Sequence, residues 1–251
     1  MLRKPVAIAI PIYKSTLNYD ELASLLQCIE ILNNYPIFFL GSEYLDTTVY
    51  RNACKGKVEF NMEYFDESYF KDINGYNKIM LSSFFYERFR KFKFLLIYQL
   101  DAWVFKDDLT AWCNKNYDYI GAPWVNWEWS SFYAHHTTFL RRLLHKLGYK
   151  NFNLVGNGGL SLRKVDSFIG NLKRFEKQAE GFTQNEDYFF SFFVPSYNPF
   201  FKIPKVSEAL QFAFDENPDQ ALKLNNGDLP MGCHAWPKYK SFWRNYINNI
   251  E

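Results

Sequence analysis

No stretch of the chain approaches the roughly 18 uninterrupted apolar residues a membrane-spanning helix needs, so the sequence predicts a soluble or at most peripheral protein. The short apolar run Val6 to Ile10 behind Arg3 and Lys4 is broken by Pro11 and followed by Lys14. It has no small-residue cleavage site, so it reads as a buried first strand rather than a targeting signal. An excess of one charge is also missing. With 29 Lys and Arg against 27 Asp and Glu, the net charge of +2 gives no global reason to expect nucleic acid as a partner. The four cysteines, Cys28, Cys54, Cys113 and Cys233, form no CxxC pair, which argues against a zinc site or a disulfide framework and predicts reduced thiols in a cytoplasmic setting. Neither GxxxxGK[ST] nor a GxGxxG after the first strand occurs, which removes P-loop kinases, ATPases and typical dinucleotide oxidoreductases. No linker rich in Pro, Gly or Ser and no internal repeat divides the 251 residues, so a single domain over 1–251 is expected.

What is present is a hydrophobic fraction of 48%, enough to bury a substantial core. Val6 to Ile12, Tyr19 to Leu32 and Tyr35 to Leu40 read as strand, helix, strand, the alternation of a mostly parallel sheet flanked by helices. Ile79 to Phe89 reads as a helix, Phe92 to Leu100 as a central strand, Tyr117 to Ile120 as a short strand, and Leu140 to Leu147 as a basic helix. Leu160 to Leu162 reads as a strand, Val165 to Gln178 as a helix, and a further helix begins near Asn185. Aromatics make up 20% of the chain and carry no functional weight by themselves; only clusters beside polar groups count.

Four segments carry candidate chemistry. Asp101 closes the strand ending Tyr98-Gln99-Leu100, where ligands of open α/β sheets gather; a carboxylate there suits a divalent cation, although a cap or loop aspartate explains it as well. Asp107 and Asp108 read as caps of the next helix. Gly156-Asn157-Gly158-Gly159, running into Leu160-Ser161-Leu162-Arg163, lets main-chain N–H groups approach a ligand closely. Glu186-Asp187 opens an aromatic helix: the helix dipole accounts for acidic residues there, and a general base is the functional alternative, with Asp187 the favoured member. His234, in Met231-Gly232-Cys233-His234-Ala235-Trp236, is a candidate contact for metal or diphosphate, whereas His135, His136 and His145 read as surface residues.

Taken together, Tyr98 to Phe105, Tyr117 to Trp124, Gly156 to Arg163, Asn185 to Ser191 and Gly232 to Trp236 resemble a poorly characterised family of glycosyltransferase-like proteins related to the GT-A nucleotide-sugar transferases. The resemblance implies an α/β fold, a single GT-A (Rossmann-like) domain with a mostly parallel central sheet flanked by helices. Its nucleotide-side half would cover about 1–125 and its acceptor-side half about 126–251. It further implies a UDP-sugar or other nucleotide-sugar donor, with Mn²⁺ or Mg²⁺ held at a DxD motif. The matching positions here are Asp101-Ala102-Trp103, which lack the second carboxylate, leaving Asp101 and His234 as the metal candidates. Donor contacts fall on Pro11, Ile12, Tyr13, Asn77, Lys78, Asp101, Ala102 and Trp103. Sugar and acceptor contacts fall on Trp124, Asn157, Gly158 and Gly159; Trp124, Trp127 and Trp129 read as stacking faces for a sugar ring or, at least as readily, as core packing. Glu186 and Asp187 supply the catalytic acidic pair of an inverting transfer to a glycan or lipid-linked acceptor hydroxyl. Two rivals share the fold: a non-catalytic carbohydrate-binding protein and a nucleotidyltransferase. The C-terminal apolar set Tyr239, Phe242, Trp243, Tyr246, Ile247 and Ile250 predicts a helix docked on the domain, with peripheral contact to the inner face of a membrane as the sharper alternative.

Overall fold

A computed structural model describes residues 4–125 and 154–248. The chain opens with β1 (Lys4–Pro11), the helix Tyr19–Ile31, β2 (Ile37–Gly41), the helix Thr48–Cys54 and β3 (Phe60–Tyr64). Asn18 starts the first helix with a reciprocal capping box: its side chain accepts from the Glu21 N–H while the Glu21 carboxylate accepts from the Asn18 N–H. Two short helices, Ile73–Met80 and Ser83–Glu87, lead into β4 (Phe92–Tyr98), which returns beside β1. After β5 (Trp103–Val104), the helix Leu109–Lys115 and β6 (Tyr119–Ile120), β7 (Leu160–Lys164) runs antiparallel to β4.

The main sheet has six strands in the order β3-β2-β1-β4-β7-β6, parallel from β3 to β4 and antiparallel beyond. This is the mostly parallel, helix-flanked α/β arrangement expected. Its central strands are apolar without interruption because both faces are covered. Along β1, Val6, Ile8 and Ile10 enter one core while Ala7 and Ala9 enter the other. A small second sheet, β5-β9-β8, adds β8 (Ala213–Phe214) and β9 (Gly232–Cys233).

Several helices are more segmented than their periodicity predicts. The stretch 79–89 breaks at Leu81-Ser82, where Ser82 is extended and begins the next helix. The stretch 165–178 divides at Phe175 into Val165–Arg174 and Glu176–Glu180. Phe175 is buried against the rings of Phe193 and Tyr197. The helix after Asn185 keeps only Glu186–Tyr188 before widening into a π-helical turn, Phe189–Phe193, which stacks Phe189 on Phe193 at 4.8 Å. Only Tyr119 and Ile120 of the predicted strand 117–120 pair in the sheet. The Asp107-Asp108 caps are divided unevenly: Asp107 Oδ1 accepts from the Leu109 N–H at 3.3 Å, and the Asp108 side chain makes no cap bond.

The C-terminal segment is docked. A 3₁₀ turn, Trp236–Tyr239, and the helix Lys240–Trp243 bury Trp243 and Ile247 in a third apolar cluster with Leu210, Phe214 and Trp236, and Lys240 pairs with Asp20 at 2.9 Å. Those two side chains are inside the domain and not free to enter a lipid surface. All four cysteines are buried and unbridged. The basic stretch 140–147, His135, His136, His145, Trp127, Trp129 and Ile250 lie outside the described residues. Among the described residues no helix is long and apolar enough to cross a membrane.

Candidate active site

A cavity of about 550 Å³ opens beyond the carboxyl ends of β1 and β4. Its walls come from Pro11, Ile12 and Tyr13, from the helix start at Asn18 to Glu21, from Tyr50, Tyr69 and Tyr76, and from Gln99 and Asp101. Pro237 and Lys238 close it from the C-terminal turn. This is the address at which open α/β sheets bind ligands.

The strand pairings bring a charged group to this cavity. β8 and β9 are parallel with Phe214 opposite Cys233, so the next residues, Asp215 and His234, stand side by side. β5 is antiparallel to β9 with Trp103 opposite Cys233, which draws Asp101 to the same point. His234 Nδ1 lies 3.0 Å from Asp215 Oδ1, and its Nε2 lies 3.1 Å from Asp101 Oδ1 and 3.2 Å from Gln99 Oε1. Burial opposes a charged imidazole here. Hydrogen bonds to Asp101 and Asp215, and their negative charges, reverse that effect and lift the His234 pKa to about 10. Burial also works to raise the Asp101 pKa, and the His234 contact outweighs it, giving a net lowering. Asp101 is 40% exposed and faces the cavity, whereas Asp215 is buried.

The glycine loop joins this group to a second one. Because Tyr98 pairs with Leu160, Gln99 and Gly159 are neighbours, and the Gln99 N–H donates to the Gly159 carbonyl at 2.9 Å. A Cβ on Gly159 would stand 2.0 Å from His234 Nε2, and one on Gly158 would stand 2.3 Å from Glu186 Oε1. Both positions therefore exclude a side chain. Asn157 ties the loop down: its Nδ2 donates to Asp215 Oδ2 at 2.8 Å and its Oδ1 accepts from the Gly159 N–H at 2.9 Å.

Beneath the loop, Arg163 is fully buried. Its Nη2 donates to Glu186 Oε1 at 2.8 Å and to the Gly158 carbonyl at 3.2 Å, its Nη1 to the Tyr86 hydroxyl at 2.8 Å, and its Nε to Ser161 Oγ at 3.0 Å. Burial disfavours the guanidinium charge, but Glu186 and the surrounding tyrosines hold it cationic. Glu186 is thereby committed through Oε1, while its Oε2 is buried without a hydrogen-bond partner among the described residues. Asp187 makes no ion pair among the described residues. Burial, and then the charge of Glu186, push its pKa up to about 8, with the Tyr188 N–H, the Arg163 charge and the Gly158 N–H opposing the rise.

The structure thus brings Asp101, His234, Asn157, Gly158, Gly159, Glu186 and Asp187 into one continuous contact chain, with Pro11, Ile12 and Tyr13 on the adjoining cavity. Five other expected residues do not line that cavity. Ala102 is buried, its carbonyl accepting from the Tyr98 hydroxyl at 2.9 Å. Trp103 turns away to pack edge-on against Trp236 at 5.6 Å. Asn77 and Lys78 line a separate cavity, and Asn77 Oδ1 accepts from the Glu186 N–H at 3.2 Å. Trp124 stacks on Phe192 at 5.6 Å.

Two residues of the cluster escaped sequence reasoning. The Ala102 N–H donates to the Gln99 carbonyl at 2.9 Å, a tight turn that sets Gln99 beside Asp101. The companion of Asp101 is therefore two residues before it, not two after. Asp215 follows a strand of two residues, too short to leave a periodic trace.

The geometry suits a divalent cation in part. Among the described residues no three His, Cys, Asp or Glu side chains form a metal-binding group. The third donor is the Gln99 amide oxygen, and ligands at right angles around an ion with bonds of about 2.1 Å stand roughly 3 Å apart, close to the separations of Nε2 from its two oxygen neighbours. Were His234 to hold an ion, Asp215 on Nδ1 would be the outer carboxylate that orients it.

The family model described as "Protein of unknown function (DUF5672)" matches residues 59–234, from β3 through His234. The chain belongs to the DUF5672 family. No curated protein matches this DUF5672 chain. Among solved structures it is similar to the apo form of mouse xyloside xylosyltransferase 1, with a TM-score of 0.55 at 9% identity over 92% of this chain and 97% of that one. It is also similar to the apo WbbM bifunctional glycosyltransferase, with a TM-score of 0.53 at 12% identity over 92% of this chain and 45% of that one. At these identities the likeness establishes the fold: this DUF5672 protein has a GT-A-like architecture.

Proposed function

We propose that the protein is a glycosyltransferase that moves a sugar from a nucleoside diphosphate sugar to an acceptor hydroxyl. The observation that carries this reading is the contact chain through Gly158 and Gly159. It supports the reading by joining Asp101 and His234, beside a cavity of about 550 Å³, to Glu186 and Asp187 on the far side of the same loop. The cavity walls at Pro11, Ile12 and Tyr13 suit the nucleoside, and Asp101 and Lys238 mark the diphosphate end. Gln99, Asp101 and His234 would hold Mn²⁺ or Mg²⁺, which when bound supplies positive charge to the leaving diphosphate.

Asp187 is the base. Arg163 commits Glu186, whereas Asp187 has a pKa near neutrality and so accepts a proton more readily than an ordinary carboxylate. The acceptor O–H gives its proton to Asp187 and its oxygen attacks the anomeric carbon. The bond from that carbon to the diphosphate breaks, its electron pair departs with the nucleoside diphosphate, and attack opposite the leaving group inverts the anomeric centre. The Gly158 and Gly159 backbone frames the reacting sugar without side-chain bulk.

A thermal-shift screen over nucleotide sugars with and without Mn²⁺ tests the donor, since a ligand that binds only the folded state raises its melting temperature. Donor hydrolysis and transfer are then compared for wild type and Asp187→Asn. Loss of transfer with retained donor binding is expected; transfer near the wild-type rate would remove Asp187 from the role.

A further inference from the structure

A second cavity, of about 650 Å³, is separate from the first yet shares a wall with it. The helix Ile73–Met80 turns Ile73 and Tyr76 toward the first cavity and Asn74, Asn77 and Lys78 toward the second, and Tyr69 borders both. The two differ in chemistry. Here a single lysine, Lys78, faces Glu176 and Glu180, so no excess of positive charge draws a phosphate. The polar lining is otherwise uncharged amide and hydroxyl, from Asn74, Ser83 and Thr183 among others. Phe84 is 43% exposed at this cavity, its ring steadied by Phe65 at 6.0 Å and Tyr69 at 6.1 Å. An exposed aromatic face amid amides and hydroxyls, with no excess of positive charge, matches a sugar, which offers C–H faces and hydroxyl edges, better than it matches an anion or a purely apolar ligand.

The position adds direction. Thr183 runs within two residues into Asn185-Glu186, and Asn77 reaches from the cavity wall to accept the Glu186 N–H. Anything bound here meets Thr183 and Gln184, which lead directly into the acidic pair. We propose that this cavity binds an uncharged oligosaccharide and that this oligosaccharide is the transfer acceptor. The acceptor role rests on the glycosyltransferase reading; the sugar-binding claim does not.

Saturation-transfer NMR on the full chain tests it with maltose, cellobiose, xylobiose, mannobiose and chitobiose, each with and without saturating UDP or GDP plus Mn²⁺. At least one disaccharide is expected to bind, to remain bound beside the nucleotide, and to lose tenfold or more in affinity in Phe84→Ala and in Ser83→Trp. Both variants should keep nucleotide binding and the wild-type melting temperature. No binding by any of the five, displacement by nucleotide, or unchanged affinity in Phe84→Ala would overturn the proposal. Disaccharide binding that Phe84→Ala abolishes, in a protein that ignores UDP and GDP, would sink the transferase reading and the acceptor role with it while leaving the sugar site in place.

Discussion

On one side of the Gly156–Gly159 loop, His234 stands between Asp101 and Asp215; on the other, Arg163 is locked to Glu186 while Asp187 makes no ion pair among the described residues. In the first cluster the positive charge is a proton on an imidazole, at a place partly open to the cavity. It can yield to another cation, because neutral imidazole is itself a ligand. In the second the positive charge is a guanidinium that never deprotonates, sealed in the core. An exchangeable cation suits a site that must accept and release a charged ligand. A permanent one holds Glu186 in an ion pair, and it is burial and the charge of that glutamate, against the guanidinium, that make the neighbouring Asp187 reluctant to ionise. Under the proposed function the first cluster binds and the second transfers a proton, and that division can be broken at either end.

The largest effect is expected at the sealed cluster. Arg163→Met leaves Glu186 buried without its partner and should destabilise the fold by about 3–5 kcal/mol in urea unfolding. Adding Glu186→Gln should recover much of that loss, which a purely steric role for Arg163 would not permit. Asp187→Asn should lower the transfer rate by about 10²–10⁴-fold, the usual contribution of a general base, with nucleotide affinity unchanged.

The same residue carries a pH signature. With a folded-state pKa of about 8, against about 3.9 for an unperturbed aspartate, the native state holds the Asp187 proton more tightly. Its contribution to stability is full below about pH 4 and is lost as pH rises through about 8. Denaturation midpoints of Asp187→Asn should lack that part of the decline, while transfer by the wild type should rise with pH through the same region. At the open cluster a smaller change is expected: Asp215→Asn weakens the orientation of His234 and should reduce Mn²⁺ affinity about 10–100-fold, read by titration calorimetry.

How much of this was legible in the sequence follows from what each part depends on. β1, β2 and β4 were readable because strands buried on both faces are apolar without a break. The divided helices were not, because ring packing at Phe175 and along Phe189–Phe193 overrides helical period. Asp101, the glycine loop, Glu186-Asp187 and His234 stood out as unusual residues at element ends. Gln99 was hidden by a turn that reverses the direction in which a partner for Asp101 is sought, and the Gly156–Arg163 pattern carried no sign that Arg163 is sealed below the loop.

The central claim is that Asp101 belongs to a cation-assisted diphosphate site. Calorimetric titration of UDP and GDP into wild type and Asp101→Asn, with and without Mn²⁺, tests it most directly. The account predicts that one of the two binds the wild type, that Mn²⁺ strengthens the binding, and that Asp101→Asn loses tenfold or more while its melting temperature stays within a few degrees. Failure of both nucleotides to bind the wild type, or equal Mn²⁺-dependent affinity in the variant, would contradict it.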